Sequence, residues 1–198
     1  MTYSMSYKLM KARDIPMKKL NNLSPQQVLE TRCRNARQNL LYVVIFTLVN
    51  ILLLVTKSDL YFLFSAYIPY VLVSTGMMLC GMYPPEYYGQ DISYLEFLSP
   101  TVFAILLTVA IVITALYFLS WIFSKKNRVG WLIFALVIFV IDTIGMFIFT
   151  GFAVEGIVDI IFHVWVIVSL ALGINAYFKL KKLPVEEVES IAVEQDED

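Results

Sequence analysis

Charged residues are scarce in this chain, and their scarcity excludes an ordinary soluble domain. Asp, Glu, Lys and Arg make up 16% of the 198 residues, whereas 59% are hydrophobic. A soluble domain of this size is about one quarter charged and about one half apolar. The apolar residues are concentrated in runs of about 20, the length that crosses a bilayer as a helix. The sequence therefore predicts an all-α polytopic membrane protein.

Histidine and cysteine are almost absent, which excludes most metal and redox motifs. The chain contains one histidine, His163, and two cysteines, Cys33 and Cys80. Their spacing matches no metal-binding or redox motif, so we expect no cofactor. Cys33 lies in a basic segment and Cys80 near the end of an apolar run. We therefore expect the two thiols on opposite sides of the membrane, without a disulfide.

The charges that are present are sorted along the chain, and they divide it into three segments. Residues 1–37 carry most of the Lys and Arg, and the last 13 residues are acidic. We expect a basic cytoplasmic segment with a juxtamembrane helix over 1–37, a transmembrane bundle over 38–182 and an acidic disordered tail over 183–198. The first 25 residues contain no apolar core of a signal peptide, so we expect insertion to depend on the first apolar helix.

Helix signals locate five apolar runs and one helix start. Ser24 can cap a helix, Pro25 suits its first position, and Gln27 stands where a capping-box partner reaches back. The apolar runs cover 40–55, 60–82, 101–123, 131–149 and 157–178. The second run contains Pro69, which removes a backbone donor and kinks or breaks a helix.

The basic residues decide between four and five crossings. If all five runs cross, Lys and Arg divide nearly equally between the two sides. If run 60–82 does not cross, every Lys and Arg except Lys57 lies on one side, which agrees with the cytoplasmic preference of basic residues. We therefore predict four transmembrane helices plus one Pro-kinked re-entrant or interfacial segment, with both termini cytoplasmic. Five transmembrane helices with opposite-facing termini are the alternative.

Composition also indicates where the protein lies and what it contacts. We expect a multi-pass protein of the plasma membrane, a bacterial inner or cell membrane, with the lipid bilayer as its first partner. Arg32, Arg34 and Arg37 fit headgroup contact better than nucleic-acid binding, because no aromatic platform accompanies them. No nucleic acid is expected as a partner. A protein partner and a homo-oligomer both stay open.

Ionisable residues within the apolar helices are the candidate site. An ionisable group at membrane depth is costly and is usually placed against a partner or a cavity. With a rise of about 1.5 Å per residue, Asp142 and His163 both lie roughly 10 Å below the outer end of their helices. On the last helix, Glu155 and Asp159 are spaced by four from each other and from His163, so they share its face. Asn50 of the first helix lies at the same depth. The predicted outer-leaflet cluster is Asp142, His163, Asp159, Glu155 and Asn50.

Three interpretations of this cluster stay open. An aspartate that accepts a hydrogen bond from His163 can lock two helices together. Carboxylates and one imidazole can also bind a divalent cation or relay a proton. The third interpretation is catalysis, with His163 as general base or metal ligand, although no Ser/His/Asp or HExxH spacing supports it.

The interpretations of this cluster lead to different predicted functions. The leading expectation is a non-enzymatic accessory, sensory or assembly component, which predicts a co-purifying partner. A small transporter or channel is the first alternative, and it requires pH-dependent flux that is lost in Asp142→Asn. An intramembrane enzyme is the second, and it requires a pocket for a lipid or peptide with convergent polar groups.

Overall fold

Five α-helices make up most of the part of the chain that this computed structural model describes, residues 24–58, 62, 64–89, 96–126, 128–150 and 157–183. No strand occurs among those residues, and the four longer helices are long and apolar enough to cross a membrane. This confirms the predicted all-α polytopic membrane protein. The predicted acidic tail and most of the predicted basic segment lie outside the described residues. The helices are α1 (Pro25–Val55), α2 (Tyr67–Leu79), α3 (Pro100–Phe123), α4 (Val129–Thr150) and α5 (Ile157–Leu180), with 3-10 turns at Pro85–Tyr88 and Ser124–Lys126.

The start of α1 has the predicted capping box. Ser24 Oγ accepts a hydrogen bond from the Gln27 N–H at 3.2 Å, and Gln27 Oε1 accepts one from the Ser24 N–H at 3.1 Å. The helix has 31 residues, which gives a length of about 46 Å at the usual rise. A hydrocarbon core is about 30 Å thick. The first turns of α1 therefore extend beyond the apolar layer.

The long helices alternate in direction. The first turns of α1, the end of α3, the start of α4 and the end of α5 line one common cleft. These four helix ends therefore lie together, and we call this end of the bundle the basic end. The opposite end, which we call the far end, holds the end of α1 and the start of α3. The basic end carries Arg32, Arg34, Arg37, Lys125, Arg128, Lys179, Lys181 and Lys182.

The short helix α2 does not span the bundle. Its 13 residues correspond to about 20 Å. It begins beside Asp142, inside the bundle, and ends at the far end, where the Leu98 N–H donates to the Leu79 carbonyl at 2.9 Å. The chain after α1 therefore enters the bundle from the far end and returns to that end through α2. Of the two arrangements predicted for 60–82, re-entrant and interfacial, this is the re-entrant one, and α2 is too short to be a fifth spanning helix.

Pro69 does not kink this segment, contrary to our expectation. It is the third residue of α2, in the first turn, where a missing N–H breaks no intrahelical hydrogen bond. The interruption lies before Pro69, in the extended backbone at Ala66. Phe64, just upstream, has φ +75°, a conformation that a bulky side chain rarely adopts.

Close packing joins α1 to α5 at the basic end. A Cβ at Gly173 would overlap the Cβ of Ala36. The Cys33 thiol donates to the Gly173 carbonyl at 3.4 Å, and Asn39 Nδ2 donates to Ser169 Oγ at 2.5 Å. Small residues at such a crossing let two helix backbones approach closely.

Buried side chains form two clusters, and the outward surface is apolar. The larger cluster joins α1, α3, α4 and α5, and the smaller joins α1, α2 and α3 nearer the far end. Ile148, Phe149 and Ile161 are each more than 60% exposed. An apolar surface this extensive is normal for a protein whose neighbours are lipid or other apolar helices.

Candidate functional site

Asp142 of α4 caps the buried start of α2. Its Oδ2 accepts a hydrogen bond from the Tyr67 N–H and its Oδ1 accepts one from the Ile68 N–H, both at 2.8 Å. Its side chain is 1% exposed. A helix start presents unpaired N–H groups and the positive end of the helix dipole, which a carboxylate stabilises. The main partners of Asp142 are therefore main-chain groups of the re-entrant segment.

A threonine of α1 completes this cap. Thr47 Oγ1 accepts a hydrogen bond from the Ala66 N–H at 2.9 Å and donates to the Val43 carbonyl at 2.6 Å. Pro69, in the last of the four starting positions, has no N–H to satisfy. The N-terminal donors of α2 are thus paired by side chains of α1 and α4. Without such partners, a buried helix start would be strongly unfavourable.

Asn50, one turn further along α1, holds the extended backbone before α2. Its Nδ2 donates to the Phe62 carbonyl at 2.6 Å and to Ser65 Oγ at 2.8 Å. Its Oδ1 accepts from the Phe62 N–H at 2.8 Å. Non-helical backbone is tolerated at membrane depth only where protein pairs its polar groups. Asn50 supplies this pairing and is itself 1% exposed.

His163 of α5 contacts the same aspartate from the other side. Its Nε2 lies 3.3 Å from Asp142 Oδ2, and its Nδ1 lies 2.8 Å from the Asp159 carbonyl one turn earlier. The ring stacks on Phe139 with centroids 5.0 Å apart and an interplanar angle of 19°. Among the described residues, His163 and Asp142 are the one pair of acidic and basic side chains within ion-pair distance, and the pair is ionic only if the imidazole is protonated.

The main-chain partner of His163 indicates its tautomer. A carbonyl oxygen only accepts, so Nδ1 is the nitrogen that carries a hydrogen and donates to the Asp159 carbonyl. Nε2 is then the nitrogen that faces Asp142 Oδ2 in the buried core of the bundle.

The structure brings together part of the predicted cluster. Asp142 and His163 are in contact, and Asn50 binds the segment that Asp142 caps. Asp159 hydrogen-bonds His163 through its main-chain carbonyl, and its carboxylate interacts electrostatically with the same side chain. Glu155 lies outside the described residues. Within the described ranges, no group of three or more His, Cys, Asp or Glu side chains is placed to hold a metal ion.

Sequence reasoning missed Thr47 and the main chain of α2. Thr47 lies three residues before Asn50 and so shares its helix face, a signal that could have added it to the cluster. Pro69 also indicated a helix start a few residues earlier, and a buried helix start needs acceptors. Tyr117 of α3 was missed as well. Its hydroxyl is buried without a hydrogen-bond partner in the described structure and lies within electrostatic reach of Asp142.

Comparisons with protein-family models, with characterised proteins and with solved structures found no match. The chain's own residues and their geometry are therefore the basis for its function.

Proposed function

We propose that this chain is a small integral protein of the cell membrane that acts without catalysis, as an accessory, sensory or assembly component. The supporting observation is that both oxygens of Asp142 and both ring nitrogens of His163 are engaged within the protein. A general base or an ion ligand must instead reach its substrate or ion. In this proposal the pair is a structural clamp that holds the start of α2 between α4 and α5.

We further propose that the basic end faces the cytoplasm, so that both chain ends lie there. The bundle gathers the basic residues near α1, the α3–α4 turn and the end of α5 at one end. Basic residues close to helix ends favour the cytoplasmic side. The aromatic contact of Lys125 Nζ, 3.6 Å from the Trp121 ring centroid, also fits an interfacial level.

Flux measurements separate this function from transport. Full-length protein in liposomes under a proton gradient and a membrane potential should carry no more proton current than empty liposomes. Asp142→Asn should likewise carry none, while losing stability. Proton flux in the wild type that Asp142→Asn abolishes would replace the accessory function by transport.

Partner identification tests the assembly role directly. Extraction from native membranes in a mild detergent should give a complex heavier than the chain alone, with one partner in fixed stoichiometry. His163→Gln should leave this complex intact, since His163 is buried inside the bundle. A monodisperse monomer in every detergent and lipid tested would argue against an assembly component.

A proton-dependent role is the second candidate, because an acid and an imidazole, Asp142 and His163, lie 3.3 Å apart in the buried core of the bundle. The other titratable groups that face this pair are Tyr67 from α2, Tyr117 from α3 and Asp159 from α5. Thr47 and Asn50 of α1 hold the capped segment and do not titrate. If a change in the protonation of this pair releases α2, the protection of the Tyr67 and Ile68 amides against exchange should differ between pH 6 and pH 9 after correction for the intrinsic pH effect. Identical protection at pH 6 and pH 9 would remove this candidate.

Catalysis finds no comparable support. An active site needs polar groups that reach one point of an accessible cavity. The cleft at the basic end and the groove between α1 and α5 are lined by neither Asp142 nor His163.

A further inference from the structure

We propose that the cleft at the basic end binds the phosphate headgroup of an anionic phospholipid. The cleft has a volume of about 800 Å³ and opens between α1, the α3–α4 turn and the end of α5. Arg34 and Arg37 from α1 and Lys181 after α5 line it, together with one carboxylate, Glu30. Three cations against one anion leave the cleft positively charged.

The cations of the cleft have no anionic partner in the described part of the chain. The described residues place no carboxylate within ion-pair distance of these cations, and Glu30 Oε1 instead accepts a hydrogen bond from Gln26 Nε2 at 3.1 Å. Arg37 Nε is buried and lacks any hydrogen-bond partner in the described structure. Buried polar groups are normally paired. An unpaired guanidinium nitrogen beside two further cations therefore indicates a missing anionic ligand, and guanidinium forms strong paired hydrogen bonds to phosphate.

The level and the lining of the cleft favour a lipid over a soluble phosphate. Arg37 lies just before the apolar run of α1, which begins at Leu40, and this is the headgroup level of a spanning helix. The wall of the cleft also contains Val129, Leu132 and Leu180. These apolar side chains suit the glycerol and first acyl carbons of a lipid, and a free phosphate gains nothing from them. Basic pockets between transmembrane helices are a known kind of lipid headgroup site.

Lipid titration of the full-length protein tests the proposal. The protein is purified in a neutral maltoside detergent and titrated with dioleoyl phosphatidylglycerol or dioleoyl phosphatidylcholine, and bound lipid is counted by native mass spectrometry. We expect about tenfold tighter binding of phosphatidylglycerol, since each basic contact contributes appreciably to anionic-lipid binding. The triple variant R34Q/R37Q/K181Q should lose this preference.

A matched triple variant controls for overall charge. R32Q/K179Q/K182Q removes the same number of cations from the same end, at exposed positions outside the cleft. It should keep the preference for phosphatidylglycerol. Equal losses in both triple variants would mean diffuse surface attraction and would overturn the proposal, as would an unchanged preference in the cleft variant.

Glu30→Gln keeps the test valid if the cleft variant folds poorly. Removing the opposing carboxylate should tighten phosphatidylglycerol binding, a gain that misfolding cannot produce. Unchanged or weaker binding in a folded Glu30→Gln protein would count against the site.

Two further experiments distinguish the lipid from other occupants of the cleft. Inorganic phosphate should not displace phosphatidylglycerol at millimolar concentration, and displacement would assign the cleft to a soluble phosphate. The acidic residues of 186–198 follow closely after Lys181 in the sequence. If phosphatidylglycerol binds only after they are replaced by amides in the full chain, the tail occupies the cleft, and the lipid proposal is wrong.

Discussion

Asp142 shows why a membrane helix can carry an aspartate at depth. Its carboxyl group faces the N–H groups of Tyr67 and Ile68 and the ring of His163, all within 3.3 Å. Burying an isolated carboxylate would be very costly. Here the helix dipole of α2 and the two main-chain N–H donors offset that cost. One side chain therefore ties α4 to both α2 and α5.

Asp142→Asn should destabilise the protein by about 2–3 kcal/mol, because an amide offers one acceptor oxygen where two N–H groups need one each. The free energy of unfolding can be measured by SDS titration in mixed micelles. Asp159→Asn is the matched control on α5, since the hydrogen bond of Asp159 with His163 uses the main chain. The control should change stability by about 0.5 kcal/mol or less. Equal effects of the two substitutions would contradict the capping role.

Thr47→Val should cost about 1 kcal/mol more than Thr143→Val, because only Thr47 accepts a second hydrogen bond, from the Ala66 N–H. Both threonines are buried, and both donate to the carbonyl four residues earlier in their own helix. Comparing the two valine variants therefore cancels the effect of the lost intrahelical hydrogen bond and the effect of burying a methyl group. The same SDS titration measures the difference. No difference would mean that the Ala66 N–H finds another acceptor.

The element that depends most on its neighbours is α2, together with the extended residues before it. A helix of 13 residues is marginal by itself in water, and this one starts inside the bundle. The first three N–H groups at its start and the extended residues before it obtain their partners from Thr47, Asn50 and Asp142. The segment is therefore a re-entrant half-helix whose position is set by side chains of α1 and α4.

Asn50→Ala should loosen this segment without unfolding the bundle. The Phe62 N–H would lose its acceptor, so the amides of 62–68 should exchange with solvent at least about tenfold faster. Hydrogen exchange read by mass spectrometry on peptides from this region measures the effect. Asn39→Ala is the control, because Asn39 is also on α1 but bonds Ser169 of α5. Faster exchange in both variants would mean a general loss of stability.

The close contact of Gly173 with Ala36 at the crossing of α1 and α5 can be tested with a destabilising substitution and a compensating one. Gly173→Ala should cost about 1–3 kcal/mol, because the new methyl group overlaps Ala36 and the helices must separate. Adding Ala36→Gly should recover most of this loss. Gly130→Ala, where no atom lies within 4 Å of the added carbon, should be neutral or slightly stabilising. Stability is read in the same micelles, and a failure of Ala36→Gly to compensate would contradict the crossing.

At the scale of the whole molecule, the bundle has two chemically distinct ends. The basic end gathers the Lys and Arg side chains of the described helices, whereas Lys57 and Glu86 belong to the far end. Because basic groups near helix ends resist translocation, this asymmetry supports one orientation in the membrane.

Cysteine labelling should reveal that orientation and the re-entrant path together. With Cys33 and Cys80 replaced by serine, single cysteines at Lys57 and at Glu86 should both react with an impermeant maleimide in intact cells. A single cysteine at Lys182 should react only after permeabilisation. A segment that crossed the membrane between Lys57 and Glu86 would instead put these two positions on opposite sides.

Much of the fold was predictable because it depends on local composition. Each long helix lies where an apolar run indicated it, and the α1 start lies at Ser24, where the capping signal stood. Sorting the basic residues predicted that 60–82 does not cross. The contact between Asp142 and His163 was also within reach, since two antiparallel helices joined by a short loop place both at a similar depth.

What the sequence by itself determined is therefore the number of spanning helices, the exclusion of the second apolar run from that number and the sorting of charge between two ends. These follow from helix length, hydropathy and charge, which act over a few residues. Only the tertiary structure decided that the second run is re-entrant and not interfacial, that Asp142 caps α2 and that Thr47 joins it. These pairings depend on how each helix is rotated and shifted against its neighbours. That arrangement is set by side-chain packing, as at Gly173 and Ala36, and by the need to pair every buried N–H.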